Sequence, residues 1–196
     1  MLTLNQVTFS YPKGAPVLQD LDLQVARGEL LAVMGPSGCG KSTLLLLLAG
    51  LLRPTMGSIR SEARKTSFVF QEPRLFPQCT VEENVAAVLS EPPREGLIEE
   101  LLAEVGLADA KGLYPGELSG GMRMRVSLAR ALAYGGDLFL LDEPFAALDE
   151  ARRDELADFL RDYCKKHGVT AVLVSHDREI SERFADRILE MQSPRQ

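Results

Sequence analysis

No apolar stretch in the 196-residue chain is long enough to cross a bilayer; the longest, residues 44–52, is nine residues and includes Ala49 and Gly50, against the ~20 a spanning helix needs. The N-terminus, Met1-Leu2-Thr3-Leu4-Asn5-Gln6, lacks the positive start and apolar stretch of a secretory signal, so the chain is expected to stay in the cytoplasm. Three cysteines, Cys39, Cys79 and Cys164, are widely separated and show no C-x-x-C spacing, which excludes a disulfide framework or a zinc site as the organising feature and predicts reduced thiols. Positive charge is in deficit: 22 Lys and Arg against 28 Asp and Glu give a net charge of −6. That balance disfavours broad binding to nucleic acid or anionic lipid. Internal repeats, low-complexity tracts and long linkers are also missing. What remains is 45% hydrophobic and 26% charged residues, a composition typical of an ordinary soluble globular domain with a sizeable core.

The patterning then changes along the chain. Residues 1–34 read as three strands broken at Tyr11-Pro12-Lys13-Gly14 and Arg27-Gly28. A glycine cluster from Gly35 to Gly40 leads into a Leu-rich helix ending near Gly50. Pro54 and Gly57 open what reads as a short strand pair closing on Ser67-Phe68-Val69-Phe70. From Pro73 to Ala133 the periodicity is helical, with breaks at Pro92-Pro93, Gly106 and Tyr114-Pro115-Gly116. The last third alternates again: a strand over 138–141, a helix over 150–166, a strand over 170–174, a short helix over 177–184 and a last strand over 187–190. Short, wholly apolar strands separated by helices predict a parallel sheet covered on both faces. The fold class is therefore α/β, with a mostly parallel sheet core, an antiparallel N-terminal sheet and an inserted helical lobe.

Two segments carry chemistry. Gly35-Pro36-Ser37-Gly38-Cys39-Gly40-Lys41-Ser42 fits G-x-x-x-x-G-K-[ST], directly after a strand and opening a helix, which is the context of a P-loop NTPase. Its glycines let successive N–H groups turn inward on phosphate oxygens, the helix N-terminus adds positive potential, Lys41 neutralises β and γ charge, and Ser42 can ligate Mg²⁺. Thr43 completes the loop. The second segment, Leu138-Phe139-Leu140-Leu141-Asp142-Glu143, is a buried strand ending in two acids. In isolation such a pair equally well caps the next helix; beside a phosphate loop, Asp142 is placed to hold Mg²⁺ and Glu143 to activate water.

With Leu118-Ser119-Gly120-Gly121-Met122 ahead of a helix, the sequence resembles the ATP-binding cassette (ABC) ATPases, over nearly its whole length. The resemblance implies a single ATPase domain in which 1–72 and 134–196 form a nucleotide-binding core lobe and 73–133 a helical lobe. It implies that Tyr11 stacks on adenine, that Gln71 senses Mg²⁺ and the attacking water, that Asp149 lies at a dimer seam and that His176 contacts the γ-phosphate. Ser119, Gly120 and Gly121 cap a helix and form an anion site, which in the family receives ATP held by the phosphate loop of a second subunit. Taken singly, Tyr11 is an ordinary turn tyrosine, Gln71 a surface amide and Ser119 a plain N-cap, while His167 keeps a structural reading.

Arg123, Arg125 and Arg130 read as a solvated helix face, as do Glu82, Glu83, Glu99, Glu100 and Glu104. Met122 stands where the family most often has glutamine. That residue and Phe70-Gln71-Glu72-Pro73-Arg74-Leu75-Phe76-Pro77 resemble the importer branch serving nitrate, sulfonate, taurine or thiamine-precursor uptake. The segment 59–66 is shorter than the loop usual there, and with only six residues after the last strand no regulatory C-terminal domain is expected. The implied function is the ATPase subunit of a membrane transporter, peripheral on the cytoplasmic face, with ATP and Mg²⁺ as ligands. Its implied partners are a membrane-spanning permease, a second ATPase subunit and a solute-binding protein, and not nucleic acid. The alternatives are a soluble non-transport ABC ATPase and a regulatory module that binds ATP without turnover.

Overall fold

A computed structural model describes residues 1–192. Strands β1 (Leu2–Ser10), β2 (Pro16–Val25) and β4 (Met56–Ser61) form an antiparallel sheet in the order β2-β1-β4. Five strands, β5 (Thr66–Val69), β6 (Leu138–Asp142), β7 (Thr170–Val174), β3 (Leu30–Met34) and β8 (Arg187–Glu190), make a parallel sheet in that spatial order. The helices are α1 (Lys41–Leu48), α2 (Val81–Ala86), α3 (Leu97–Glu104), α4 (Gly120–Tyr134), α5 (Glu150–His167) and α6 (Arg178–Phe184). Among the described residues no helix is long and apolar enough to cross a membrane.

Side-chain parity on the parallel strands explains the layering. Successive residues of a strand face opposite sides. Leu138 and Leu140 of β6, with Val172 and Val174 of β7, pack with α1 and the antiparallel sheet. Phe139, Leu141, Ala171 and Leu173 pack into the other core, with side chains of α2 to α6. Both strands are buried along their full length, which is why they read as continuous apolar runs rather than alternating ones.

The strand pair expected between Gly57 and Phe70 does not pair with itself. β4 joins β1, with Ile59 opposite Leu4, whereas β5 joins β6, with Phe68 beside Leu140. Gly57 allows the first of these: at φ +81°, a Cβ there would meet the Gln6 carbonyl oxygen at 2.3 Å. The turn over 62–65 is thus a crossing between sheets.

Helix starts follow their capping residues. Thr80 and Glu83 close a reciprocal capping box on α2, and Ser119, Asp149 and Asp177 accept from Met122, Arg152 and Ile180 amides at the starts of α4, α5 and α6, each cap worth about 1 kcal/mol. Helix α1 differs, because its N-cap is Gly40, in the left-handed region, with no side-chain cap. Its first amides are left to other acceptors.

The arginines of α4 are not a solvated face. Arg123 donates to Leu118 O (2.6 Å), Arg125 to Val105 O and Gly106 O (3.1 and 2.7 Å), and Arg130 to Arg74 O (2.9 Å). Three half-buried guanidiniums thus satisfy backbone carbonyls at chain reversals around the helix, where no intrahelical donor is available. Burial pushes the Arg125 and Arg130 groups below the ordinary arginine value. The glutamates behave as expected of exposed faces, Glu82 and Glu99 pairing with Lys111 and Glu100 with Arg94. All three cysteines are free thiols, and burial pushes Cys164 up to about 12. His167 is exposed at the end of α5, its ring 4.5 Å from that of Tyr163.

Candidate active site

The loop 35–42 joins β3 to α1 at the C-terminal edge of the parallel sheet, where such sheets gather ligands. Gly35, Gly38 and Gly40 have φ of 152°, 80° and 100°, and two of these glycines are also sterically required. A Cβ on Gly35 would meet Met191 O at 2.4 Å, and one on Gly40 would meet Leu18 Cδ2 at 2.8 Å. The loop is therefore held from behind by both sheets while Pro36, Ser37 and Gly38 remain exposed. Lys41 Nζ donates to Gly35 O (2.7 Å) and Pro36 O (3.0 Å), which fixes the ammonium across the loop. Uncapped amides, a left-handed entry into α1 and one lysine together make a cradle for phosphate oxygens. Cys39 is buried and packs inward, and Thr43, also buried, shares a 3.3 Å hydrogen bond with the Tyr11 hydroxyl. The Tyr11 ring, 44% exposed, stands edge-on to Phe9 at 4.9 Å; it is supported from behind and open on the side facing solvent.

Asp142 ends β6 with only 6% exposure, and its Oδ1 has no hydrogen-bond partner among the described residues. Burial pushes its carboxyl above the usual range; the nearby Ser42 hydroxyl and Lys41 oppose the push, and Glu143 adds to it. A buried, unpaired carboxylate oxygen beside a serine hydroxyl is costly by itself and suits a hard divalent cation, which takes oxygen ligands. The donor set fits Mg²⁺.

Glu143 follows in the left-handed region at φ 50°, unusual for a residue with a side chain and a conformation that stores strain of about 1–3 kcal/mol. Its amide donates to Val174 O at 3.0 Å, so the turn is pinned to the end of β7. The result is that the Glu143 carboxylate, 13% exposed, lies 3.0 Å from His176 Nδ1, whose ring is 71% exposed. A half-enclosed carboxylate oriented by a histidine is the arrangement a general base needs.

The other expected site residues are placed as follows. Gln71 lies beyond β5, is exposed, and has no hydrogen bond among the described residues. Ser119 and Gly120 are exposed at the start of α4, and the Ser119 oxygens accept only from its own helix, at Met122 N and Arg123 N. Gly121 abuts the loop before α5, since a Cβ on it would meet Ala147 O at 2.6 Å. Asp149 caps α5 through Arg152 N at 3.0 Å and is exposed. The fold thus brings Lys41, Ser42, Asp142, Glu143 and His176 together and leaves Ser119 and Gly120 facing outward.

Sequence reasoning missed two residues. Asn84 is fully buried, and its amide donates to Phe76, Cys79 and Thr80 carbonyls while its oxygen accepts from Phe76 N; it shapes the segment after Gln71. Its position on the buried face of α2 was the available signal. Arg153, on α5, reaches Asp177, and nothing in the sequence pairs two positions so far apart.

The family model described as ABC transporter matches residues 18–146. An aliphatic sulfonates import ATP-binding protein, SsuB of Bacillus licheniformis, is 48% identical over 181 residues, 88% of this chain and 71% of that protein. A sulfate/thiosulfate import ATP-binding protein, CysA 1 of Agrobacterium fabrum, is 43% identical over 195 residues, covering 90% of this chain and 56% of its own length. Among solved structures, the dimeric post-hydrolysis state of the ATP-binding cassette MJ0796 bound to ADP and Pi superposes with a TM-score of 0.90 at 30% identity, covering 100% of this chain and 97% of that one.

Proposed function

The chain belongs to the ABC transporter family, whose model covers well over half of it, and from that premise we propose that it is the ATP-binding and ATP-hydrolysing subunit of an importer of a small solute. Relatives named for sulfonate and sulfate/thiosulfate import support an oxyanionic solute. The observation that carries the reading is the cluster at the C-terminal edge of the parallel sheet: Lys41 across the phosphate loop, the unpartnered Asp142 Oδ1 beside Ser42, and Glu143 held by His176.

In this reading the amides from Gly35 to Thr43 and the Lys41 ammonium hold the β- and γ-phosphates, and Tyr11 stacks on adenine. Ser42 and Asp142, with Gln71, would hold Mg²⁺, which when bound would neutralise phosphate charge. Glu143 accepts a proton from the attacking water, and His176 keeps that carboxylate aimed while its exposed ring reaches the γ-phosphate. Catalysis is then positioning and charge stabilisation, the main needs of phosphoryl transfer. Ser119 and Gly120, exposed at the start of α4, and Gly121 beside them serve the ATP of a second copy, with Asp149 at the seam. Two copies sandwich two ATP molecules and dock on a membrane-spanning permease at its cytoplasmic face, fed by a solute-binding protein. Residues 73–133 form the lobe that passes closure on, and 1–72 with 134–196 the lobe that holds nucleotide.

The test is the mass in solution of Glu143→Gln with Mg-ATP, with Mg-ADP and without nucleotide. A dimer with ATP alone, lost on adding Ser119→Arg, is the expected result. A monomer in all three conditions, also when the chain is purified with its membrane subunit, overturns the two-chain site.

A further inference from the structure

Between the end of β6 and the start of α6 lies a small cavity of about 80 Å³, lined by Glu143, Arg153, Ser175, His176 and Asp177 among others. The proposed base and its histidine account for two of these side chains. Arg153 and Asp177 form an ion pair on the same wall: Arg153 donates to Asp177 Oδ2 at 2.6 Å, with side chains only 21% and 25% exposed. The pair is partly screened from water, and breaking it would leave one charge without its partner.

Its position gives it leverage over His176. Of the residues flanking that histidine, Ser175 is tied to β3, its N donating to Val33 O, and Asp177 N donates to Ser175 Oγ. The other Asp177 oxygen, Oδ1, accepts from Ile180 N and caps α6. Arg153 supplies the side-chain tie from α5 to Asp177. It sits one turn into α5, its amide donating to Asp149 O at 2.9 Å, and its Nε, without a hydrogen bond among the described residues, lies 3.5 Å from Asp154 Oδ1. The guanidinium thus bonds Asp177 through one end of its fork and faces the Asp154 carboxylate with Nε. A chain of contacts runs from Asp149 through the first turn of α5 to Arg153, Asp177, His176 and Glu143.

Resting on the reading of Glu143 and His176 given above, we propose that Arg153 is a positioning residue for ATP turnover: through Asp177 it sets His176 against Glu143 and ties that pair to the α5 start, where Asp149 lies. Arg153 touches neither nucleotide nor water. It acts on the geometry of the two groups that do.

Steady-state ATPase kinetics on the full chain purified with its membrane subunit test this. Arg153→Met is expected to lower kcat about tenfold, the scale of a small misplacement of a reacting group, with KM for ATP within about twofold; Arg153→Lys recovers most of the loss. Asp177→Asn keeps the helix cap, since Asn caps about as well as Asp, and removes the charge; it loses kcat to the same extent. The double variant is no worse than either single one, because both remove one interaction. Unchanged kcat in Arg153→Met, or losses that multiply in the double variant, overturns the proposal, and Asp177→Asn alone decides if Arg153→Met does not fold. Glu143→Gln and His176→Ala are measured alongside. If these keep turnover, the reading of the site fails; if they lose it while the Arg153 and Asp177 variants do not, only the present inference fails.

Discussion

The two glycine-bearing segments assigned to phosphate in the proposed function are supported differently. Around Gly35–Ser42, Met191 O and Leu18 Cδ2 press on the loop from behind, Lys41 is held across it, and the neighbouring carboxylate Asp142 is buried without a partner. At Ser119–Gly121 the front is bare: space beside Gly120 is open, Ser119 bonds only within its helix, and only Gly121 is backed, by Ala147 O. In the proposed reading one segment sits within a nearly complete constellation on this chain, and the other is half of a site that a second copy completes. Completeness on one side and bareness on the other are what a site shared between two chains requires, because a surface that must receive another molecule's phosphate cannot be filled from its own.

The sharpest way to break this contrast is chemical. Glu143→Gln should reduce turnover at least about a hundredfold, as loss of a general base does, while nucleotide binding, measured by equilibrium titration, stays close to that of the parent. Near-normal turnover would remove Glu143 from the complete half.

A smaller effect separates the two glycines of the outward half. Gly121→Ala drives a methyl into Ala147 O, with only 2.6 Å available, and should cost about 1–3 kcal/mol of stability, as overpacking does. Gly120→Ala meets nothing within 4 Å and should unfold at or slightly above the parent midpoint, since alanine is the better helix former. Equal losses at both positions, by thermal unfolding, would mean that Gly121 is not backed as described.

The smallest effect concerns Asp142. Its carboxyl lies above the usual range because of burial, so the folded protein holds a proton more tightly than the unfolded chain does, and stability falls as pH rises from the unfolded carboxylate value through the folded one. Asp142→Asn in the nucleotide-free protein should therefore unfold at a higher temperature than the parent at neutral pH, with the difference closing below about pH 3.9, the unfolded value. A difference that does not vary with pH would point to packing instead.

Much of this was legible in the sequence because it is local. The phosphate loop, the strand ending in Asp142-Glu143, the caps at Ser119 and Asp149 and the bounds of the last three strands depend on neighbours a few residues away. The parts that were not legible are set by partners far along the chain. Gly57 to Phe70 reads as one hairpin until β1 and β6 compete for its two halves. Three arginines at helical spacing read as a solvated face because the carbonyls they satisfy belong to residues such as Val105 and Arg74, whose positions only tertiary packing determines. The strained backbone of Glu143 and its distance to His176 likewise follow from the junction of β6 with β7. Sequence suggested which residues do chemistry, and the sheet order determined which of them meet.

That sheet order has a bearing on how the molecule comes apart. The even-numbered residues 138, 140, 172 and 174 belong to one core, and the odd-numbered 139, 141, 171 and 173 to the other. Two adjacent strands of five residues each therefore act as a shared wall, and neither core can melt while the other stays intact. Cooperative unfolding units follow such shared elements. The cassette should thus respond to heat or denaturant as one body, and a lesion in the core behind α1 should be felt equally by the core that supports α4.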